Sequence, residues 1–231
     1  MTIGIIGAMD EEVELLQKNM TDTKQQEIAG CVFTEGLLKG KQVVLLKSGI
    51  GKVNAAIATT ILHEIYKPEK IINTGSAGGF AKELEVGDIV VSTTVVYNDV
   101  DVTAFDYAYG QVPGLPAAFT ADETLISQAM KATEIATNCK AMQGMIATGD
   151  AFMSDPERVE FIRSKFPTMI AAEMEAAAIA HVCHQYDTPF VIIRALSDIA
   201  GKEASVSFET FLETAATNAA TLIMEMVSNI D

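Results

Sequence analysis

Residues 52–74 read KVNAAIATTILHEIYKPEKIINT and join a helix directly to a strand. The apolar or small residues that recur there at intervals of three and four are Val53, Ala56, Ile57, Thr60 and Ile61. This spacing is typical of one face of a helix and predicts a helix over residues 52–66. Pro68 ends the helix, and residues 70–74 then predict a short apolar strand.

The same alternation continues in both directions along the chain. Further strands are predicted at residues 3–7, 28–36, 42–48, 89–97, 141–148, 169–172 and 190–196, the second and third of them paired as a hairpin. Further helices are predicted at residues 11–18, 120–138, 174–186 and 207–229, with a short one after Asp155-Pro156. Thr120 with Glu123, Asp155 and Ser207 are the expected N-terminal caps. Residues 75–79 predict a glycine-rich turn, and residues 98–119 a long irregular loop, which is usually functional.

Strands that alternate with helices indicate a largely parallel sheet covered on both faces. The 231 residues suit one domain with a substantial core, and no linker or repeat interrupts them. We therefore predict a single α/β domain over residues 1–231.

The composition argues against several classes of partner. Thirty-one acidic residues against 16 basic ones give a net charge of −15, whereas nucleic acids and anionic membranes attract basic surfaces. Cys31, Cys139 and Cys183 are too widely spaced for a disulfide framework or a metal knuckle. The first residues lack the basic start of a signal peptide, and no apolar run approaches the roughly 20 residues of a membrane span. A cytoplasmic protein is expected.

Carboxylates and small residues follow several predicted strands. They are Glu11 and Glu12, the turn 75–79, residues 149–153, Glu173 and Glu175, and Ser197 with Asp198. Ligands of open α/β sheets bind outside the carboxyl ends of the strands. Each group taken alone could be a helix cap or a turn, but their shared position predicts one site at one edge.

No cofactor or metal site is expected. The segment 49–52 has half of a phosphate loop but lacks its leading glycine and its Ser or Thr, and Asp10 stands where a dinucleotide fingerprint needs a third glycine. His181 and His184 share a predicted helix without an evident acidic partner. Carboxylates without a metal, a nucleophilic cysteine or a cofactor loop favour hydrolysis of a glycosidic bond.

At these same residues the chain resembles the bacterial 5′-methylthioadenosine/S-adenosylhomocysteine nucleosidases. The motifs that carry the resemblance are GIIGAM (4–9) with Glu11-Glu12, SGIGKV (48–53), NTGSAG (73–78), GDAF (149–152), EMEA (173–176) and RALSD (194–198). The resemblance implies a nucleoside phosphorylase-like fold, a three-layer α/β/α sandwich around a mixed, mostly parallel twisted sheet. It also implies a homodimer without a cofactor.

The resemblance assigns a role to each of three carboxylates. Glu12 matches the base that activates the attacking water, and Asp198 matches the acid that protonates adenine at N7. Glu175 matches the carboxylate that holds the ribose hydroxyls. The implied reaction releases adenine from methylthioadenosine and S-adenosylhomocysteine, with 5′-deoxyadenosine as a further substrate, in methionine salvage and the recycling of S-adenosylmethionine by-products.

The resemblance also assigns the lining of the site. Its further substrate-binding residues are Met9, Ile50, Ser76, Gly78, Phe152, Met153, Met174, Arg194, Ser197 and Phe208. Four residues of the long loop, Val102, Phe105, Tyr107 and Pro113, match residues that complete the pocket of the partner subunit. Two alternatives remain open, namely a phosphorylase of the same fold and a nucleoside-binding protein without catalysis.

Overall fold

The computed structural model describes residues 1–201 and 204–230. Its strands are β1 (Ile3–Gly7), β2 (Met20–Ile28), β3 (Cys31–Leu38), β4 (Lys41–Lys47), β5 (Lys70–Asn73), β6 (Ser76–Gly79), β7 (Ile89–Tyr97), β8 (Phe119–Thr120), β9 (Ala141–Thr148), β10 (Met169–Glu173) and β11 (Phe190–Ile199). Its α-helices are α1 (Asp10–Lys18), α2 (Lys52–Tyr66), α3 (Glu123–Ala136), α4 (Pro156–Lys165), α5 (Ala176–Gln185) and α6 (Ala204–Ser228), and a short 3₁₀ helix spans Thr103–Phe105. Within these described residues, every helix is too short or too polar to cross a membrane.

The strands form one mixed sheet in the order β2-β3-β4-β1-β5-β11-β6-β10-β9-β7-β8. The central strands β4, β1, β5 and β11 are parallel, whereas β10 runs antiparallel to β6. Strand β11 also pairs with β7 through Ile193, Arg194 and Ala195, so the sheet curls back on itself. The carboxyl end of β10 therefore lies beside the beginning of β6.

Helices cover both faces of the sheet. Alternate residues of β1 point to opposite sides, so Ile5 packs with α1, α3 and α6 while Ile6 packs with α2 and α5. A smaller cluster lies under α4 and includes Ile162 and Phe166. This arrangement confirms the predicted three-layer α/β/α sandwich.

Most predicted elements are present, and several bounds agree closely. Strands β1, β7 and β9 and helix α2 span the predicted residues. The hairpin β3–β4 turns at Lys39 and Gly40, which both have positive φ. Asp155 caps α4 as expected, since its side chain accepts a hydrogen bond from the N–H of Glu157 at 2.9 Å.

Three local predictions were wrong, and one strand was not predicted. The segment predicted as a glycine-rich turn forms β6 instead, because it lies in the interior and pairs with both β10 and β11. Asp122, and not Thr120, caps α3. Ser207 lies inside α6 and donates a hydrogen bond to the carbonyl of Ser197 at 3.0 Å. Strand β2 was missed because most of its residues are polar and exposed.

The buried face of α2 also differs from the repeat that predicted the helix. Its buried residues are Ala55, Ala58, Thr59, Leu62 and His63. Val53 and Ile57 point outward instead, with 69% and 43% of their surface exposed. Ala55, Ala58 and Thr59 let the first half of α2 pack closely on the sheet, whereas Val53 and Ile57 lie on its outer face.

Candidate active site

A cavity of about 250 Å³ opens where β1, β6, β10 and β11 meet. The predicted site residues that line it are Met9, Glu12, Ile50, Ser76, Gly78, Phe152, Met153, Met174, Glu175, Ser197, Asp198 and Phe208. Residues without a predicted binding role also line it, namely Ala8, Ala77, Ala151, Ala172 and Glu173. The predicted edge of the sheet thus coincides with this cavity, and Ala8, Ala77 and Ala151 lie within the motifs quoted above, although no role was assigned to them.

Glu12 lies in the first turn of α1 with 3% of its surface exposed. Its Oε2 accepts hydrogen bonds from the N–H groups of Ala8 and Met9 at 2.8 and 3.3 Å. Its Oε1 accepts from the N–H and the hydroxyl of Ser76 at 2.9 and 3.2 Å. Four donors and the helix N-terminus surround this carboxylate, and such donors stabilise its negative charge.

Gly75 leaves the space that Glu12 occupies. A Cβ atom at this position would lie 2.7 Å from Glu12 Oε1 and 2.0 Å from Nη1 of Arg194. The glycine is therefore required by close approach, since both neighbours are buried side chains. Gly75 ends the connection from β5, and the next residue, Ser76, begins β6 in hydrogen-bond contact with Glu12 of α1.

Arg194 does not line the cavity, contrary to its predicted place in the substrate-binding set. It lies on β11 with 1% of its surface exposed. Its Nη2 donates to Oδ1 of Asn73 at 2.7 Å and to Oε2 of Glu173 at 2.5 Å. Because a buried guanidinium requires acceptors, these partners hold Arg194 behind the cavity wall.

Glu173 joins Arg194 to the start of α5. Its Oε2 also accepts from the N–H groups of Glu175 and Ala176 at 2.9 and 2.8 Å, and its Oε1 accepts from the hydroxyl of Thr148. The carboxylate thus caps the N-terminus of α5, where negative charge is favoured. This capping, which the sequence left open as one alternative, fixes the backbone beneath Glu175.

Glu175 stands immediately before α5 and is 5% exposed. Its Oε1 accepts a hydrogen bond from the N–H of Gly51 at 2.9 Å, and its Oε2 lies 3.7 Å from Nη2 of Arg194. Burial, and then the negative charge of Glu173, raise the pKa of Glu175 above its ordinary value. A carboxyl group in this position can exchange hydrogen bonds with sugar hydroxyls.

Asp198 lies within β11, since that strand continues beyond its predicted end. The pairing with β6 shifts register between Leu196 and Asp198, and this bulge turns the side chains of Ser197 and Asp198 toward the cavity. Ser197 Oγ donates to Asp198 Oδ1 at 2.9 Å. Burial raises the pKa of Asp198, and the Ser197 hydrogen bond opposes that rise. The arrangement favours an acid that holds its proton to higher pH than an exposed aspartate.

Aromatic and sulfur-containing side chains form the apolar wall of the cavity. Phe152 and Phe208 meet edge to face with ring centroids 5.7 Å apart. Phe152 is 41% exposed, so much of its ring is available to a planar ligand. Met9, Met153 and Met174 add flexible apolar surface.

The four loop residues assigned to a partner's pocket lie outside this cavity. Phe105 belongs to the 3₁₀ helix and is 75% exposed, and Pro113 is also exposed. Val102 and Tyr107 are half-buried. The described residues also contain no cluster of His, Cys, Asp and Glu that could hold a metal ion.

Comparison with known proteins gives consistent results. Residues 2–228 match the model of the phosphorylase superfamily. The chain is 59% identical over 230 residues to the 5′-methylthioadenosine/S-adenosylhomocysteine nucleosidase of Bacillus cereus (strain G9842), and the match covers 100% of both chains.

Two solved structures are similar over nearly their whole length. The Neisseria meningitidis 5′-methylthioadenosine/S-adenosylhomocysteine nucleosidase, in complex with methylthio-immucillin-A, has a TM-score of 0.97 and 49% identity, covering 99% of each chain. The Colwellia psychrerythraea 34H nucleosidase, in complex with adenine, has a TM-score of 0.96 and 53% identity, covering 98% of this chain and 94% of that one. The chain therefore belongs to the phosphorylase superfamily, and within it to the 5′-methylthioadenosine/S-adenosylhomocysteine nucleosidases.

Proposed function

We propose that the protein hydrolyses the N-glycosidic bond of 5′-methylthioadenosine and S-adenosylhomocysteine, and also that of 5′-deoxyadenosine. The products are adenine with 5-methylthioribose, S-ribosylhomocysteine or 5-deoxyribose, respectively. The observation that carries the proposal is the presence of two buried carboxyl groups, Glu12 and Asp198, with different hydrogen-bonding environments in one cavity. Relatives with this activity in their names match the whole chain.

In the proposed mechanism, the Asp198 carboxylic acid gives its proton to N7 of adenine. The C1′–N9 bond then breaks, and its electron pair remains on the neutral adenine. Glu12 takes a proton from water as the water oxygen bonds to C1′. The proton left on Glu12 returns to Asp198 through solvent between turnovers, so atoms and charge balance.

The remaining cavity residues bind the two halves of the nucleoside. Glu175 accepts hydrogen bonds from the ribose hydroxyls, beside Met174. Phe152 stacks on adenine, and the backbone of Met153 bonds the edge of the base. Met9, Ile50 and Phe208 enclose the 5′-alkylthio group. Arg194 acts from behind the wall, where it holds Glu173 and faces Glu175.

Hydrolysis is favoured over phosphorolysis by the charge of the cavity. Its described lining includes four carboxyl groups, those of Glu12, Glu173, Glu175 and Asp198, and neither Lys nor Arg. A phosphate dianion requires cationic or N–H donors and would be repelled by whichever of these groups are ionised. Water has no such requirement.

Adenine release in phosphate-free buffer tests this proposal. We expect 5′-methylthioadenosine to yield adenine and free methylthioribose, separated by chromatography, with no increase in rate on addition of phosphate. Release that requires phosphate and gives a ribose 1-phosphate would identify a phosphorylase. Tight binding of the nucleoside without release under either condition would identify a nucleoside-binding protein.

We further propose a cytoplasmic homodimer of single-domain subunits, each spanning residues 1–231, that acts in methionine salvage. Exposed apolar side chains support the dimer, since Val53 and Phe105 are 69% and 75% exposed. In the dimer, Val102, Phe105, Tyr107 and Pro113 would complete the pocket of the partner subunit. Sedimentation equilibrium should give twice the 24.7 kDa chain mass, and a monomer at micromolar concentration would contradict the proposal.

A further inference from the structure

Three charged residues outside the cavity form a closed ring of hydrogen bonds. Lys52 Nζ donates to Oδ1 and Oδ2 of Asp99 at 2.7 and 2.6 Å. The N–H of Asp150 donates to Asp99 Oδ2 at 3.0 Å, and the N–H of Lys52 donates to Asp150 Oδ1 at 2.9 Å. We call Lys52, Asp99 and Asp150 the ion-pair ring. None of the three lines the cavity.

The ion-pair ring is connected to both halves of the cavity wall through the backbone. Gly51, whose N–H donates to Glu175 at 2.9 Å, directly precedes Lys52. Asp150 directly precedes residues 151–153, which line the side of the cavity proposed to bind adenine. The ion-pair ring thus links the segment on the ribose side of the cavity to the segment on the base side.

Close packing around the ion-pair ring leaves its segments little freedom. A Cβ atom on Gly51, where φ is +93°, would lie 3.2 Å from Asp150 Oδ1. A Cβ atom on Gly149 would lie 2.1 Å from the side-chain oxygen of Asn98. The side chains of Lys52 and Asp99 are only 22% and 18% exposed, so solvent and salt screen their attraction less than they screen a surface pair.

We propose that Lys52 is a positioning residue for the nucleoside site. By binding Asp99 it fixes the Gly51 N–H that orients Glu175, and it fixes the segment that presents Phe152 to the base. Lys52 touches no reacting atom, and its effect passes through the geometry of groups that do. This inference rests on the proposed function, since it assigns ribose to Glu175 and adenine to Phe152.

Steady-state kinetics of Lys52→Met with 5′-methylthioadenosine test the inference. We expect KM to rise about tenfold and kcat to change by less than about threefold. A tenfold rise corresponds to the loss of one charge-assisted hydrogen bond that helps to order the site for the bound substrate. The alkaline limb of the kcat/KM pH profile should stay in place, because Asp198 lies on β11 and makes no contact with the ion-pair ring. Lys52→Arg should restore most of the affinity, because a guanidinium can also bind both oxygens of Asp99.

A substrate analogue separates positioning from general loosening of the fold. With 2′,3′-dideoxy-5′-methylthioadenosine, Glu175 has no hydroxyl to hold. The ratio of wild-type to Lys52→Met kcat/KM should therefore be smaller for this analogue than for the parent nucleoside. An equal ratio for the two substrates would overturn the inference and indicate a merely structural role.

Two further variants complete the design. Asp99→Asn should reproduce the rise in KM, and the double variant with Lys52→Met should be no worse than either single variant because both remove the same pair. Lys18→Met removes one positive charge from an exposed pair with Glu14 and should leave KM unchanged. Wild-type KM in both Lys52→Met and Asp99→Asn would contradict the inference. If the wild type releases no adenine, the proposed function is contradicted instead. Calorimetry with the two nucleosides would then still compare the affinities of the variants with that of the wild type.

Discussion

Glu12 and Asp198 line the same cavity and are almost equally buried, at 3% and 2% exposure, yet their surroundings differ. Glu12 receives hydrogen bonds from three backbone N–H groups and one hydroxyl. Within the described part of the chain, Asp198 receives one hydrogen bond, from Ser197. The difference follows from position, because two free N–H groups at the start of α1 and the first N–H of β6 all point at Glu12, whereas Asp198 lies within a paired strand whose N–H groups are mostly used by its neighbours.

This difference indicates how one cavity can hold two carboxyl groups in contrasting environments. Burial disfavours the charged form of any carboxyl group, and hydrogen-bond donors oppose that effect. At Asp198 burial dominates and raises the pKa. At Glu12 the donors converge on both oxygens. Pairs of carboxyl groups with contrasting environments are the arrangement expected of acid–base catalysis.

The largest expected effect comes from replacing each carboxyl group by its amide. With 5′-methylthioadenosine, Asp198→Asn and Glu12→Gln should each lower kcat by about 10²–10⁴-fold, because each removes one proton transfer. A substrate whose leaving group is p-nitrophenolate needs no protonation. On the p-nitrophenyl 5-methylthioriboside, Asp198→Asn should therefore approach the wild-type rate, whereas Glu12→Gln should stay slow. Recovery of Glu12→Gln instead would reverse the two roles.

Thermal unfolding across pH provides the control for this experiment. Since folding raises the pKa of Asp198, its ionisation lowers the stability of the native state as pH rises toward and through the folded-state pKa. Asp198→Asn lacks this penalty, so its melting temperature should exceed that of the wild type above this pKa. The difference should disappear in acid, below the pKa of the unfolded chain. A variant that melts lower at every pH would show that its loss of activity includes misfolding.

Two glycines give a smaller and more graded test of the same comparison. A Cβ atom on Gly75 would lie 2.0 Å from Arg194 Nη1 and 2.7 Å from Glu12 Oε1, whereas one on Gly78 would lie 3.0 Å from Asp198 Oδ2. We expect Gly75→Ala to lower the free energy of unfolding by about 1–3 kcal/mol, and Gly78→Ala to lower it less. Gly75→Ala should also lower kcat more than Gly78→Ala does, because it displaces Glu12. Denaturant titration and steady-state kinetics measure both, and greater damage from Gly78→Ala would contradict the described packing.

The sequence predicted the fold where local pattern and burial agree. Strand β1 is a short, fully buried apolar run, and its bounds were predicted correctly. The bounds of helix α2 were also predicted correctly, although its buried face is not the one that its repeat indicated. Strand β2 is mostly exposed and polar, so no alternation marks it. Strand β6 consists of small residues that resemble a turn, and its pairing with β10 joins residues more than 90 positions apart. Such pairing is decided by tertiary contacts that no local window contains.

The candidate site was predictable as a location but not as a mechanism. Glu12 and Glu175 follow predicted strands, which was enough to group them. The bulge that turns Asp198 inward depends on the register between β11 and β6. The hydrogen bonds from Arg194 to Glu173 and from Lys52 to Asp99 link residues 21 and 47 positions apart. Residue roles came from the family resemblance, because spacing cannot distinguish an acid from a base.

The smallest expected effect comes from deleting the one hydroxyl group that donates a hydrogen bond to each carboxyl group. The Ser197 hydrogen bond lowers the pKa of Asp198, so Ser197→Ala should raise it and move the alkaline limb of kcat/KM to higher pH. The change in kcat at the optimum should stay below about tenfold, since one hydrogen bond to a charged group contributes about 1.5–3 kcal/mol, part of which solvent replaces. Ser76→Ala is the matched control, because Glu12 keeps three backbone N–H donors. Its alkaline limb should not move, and a shift in Ser76→Ala without one in Ser197→Ala would assign the acid to Glu12.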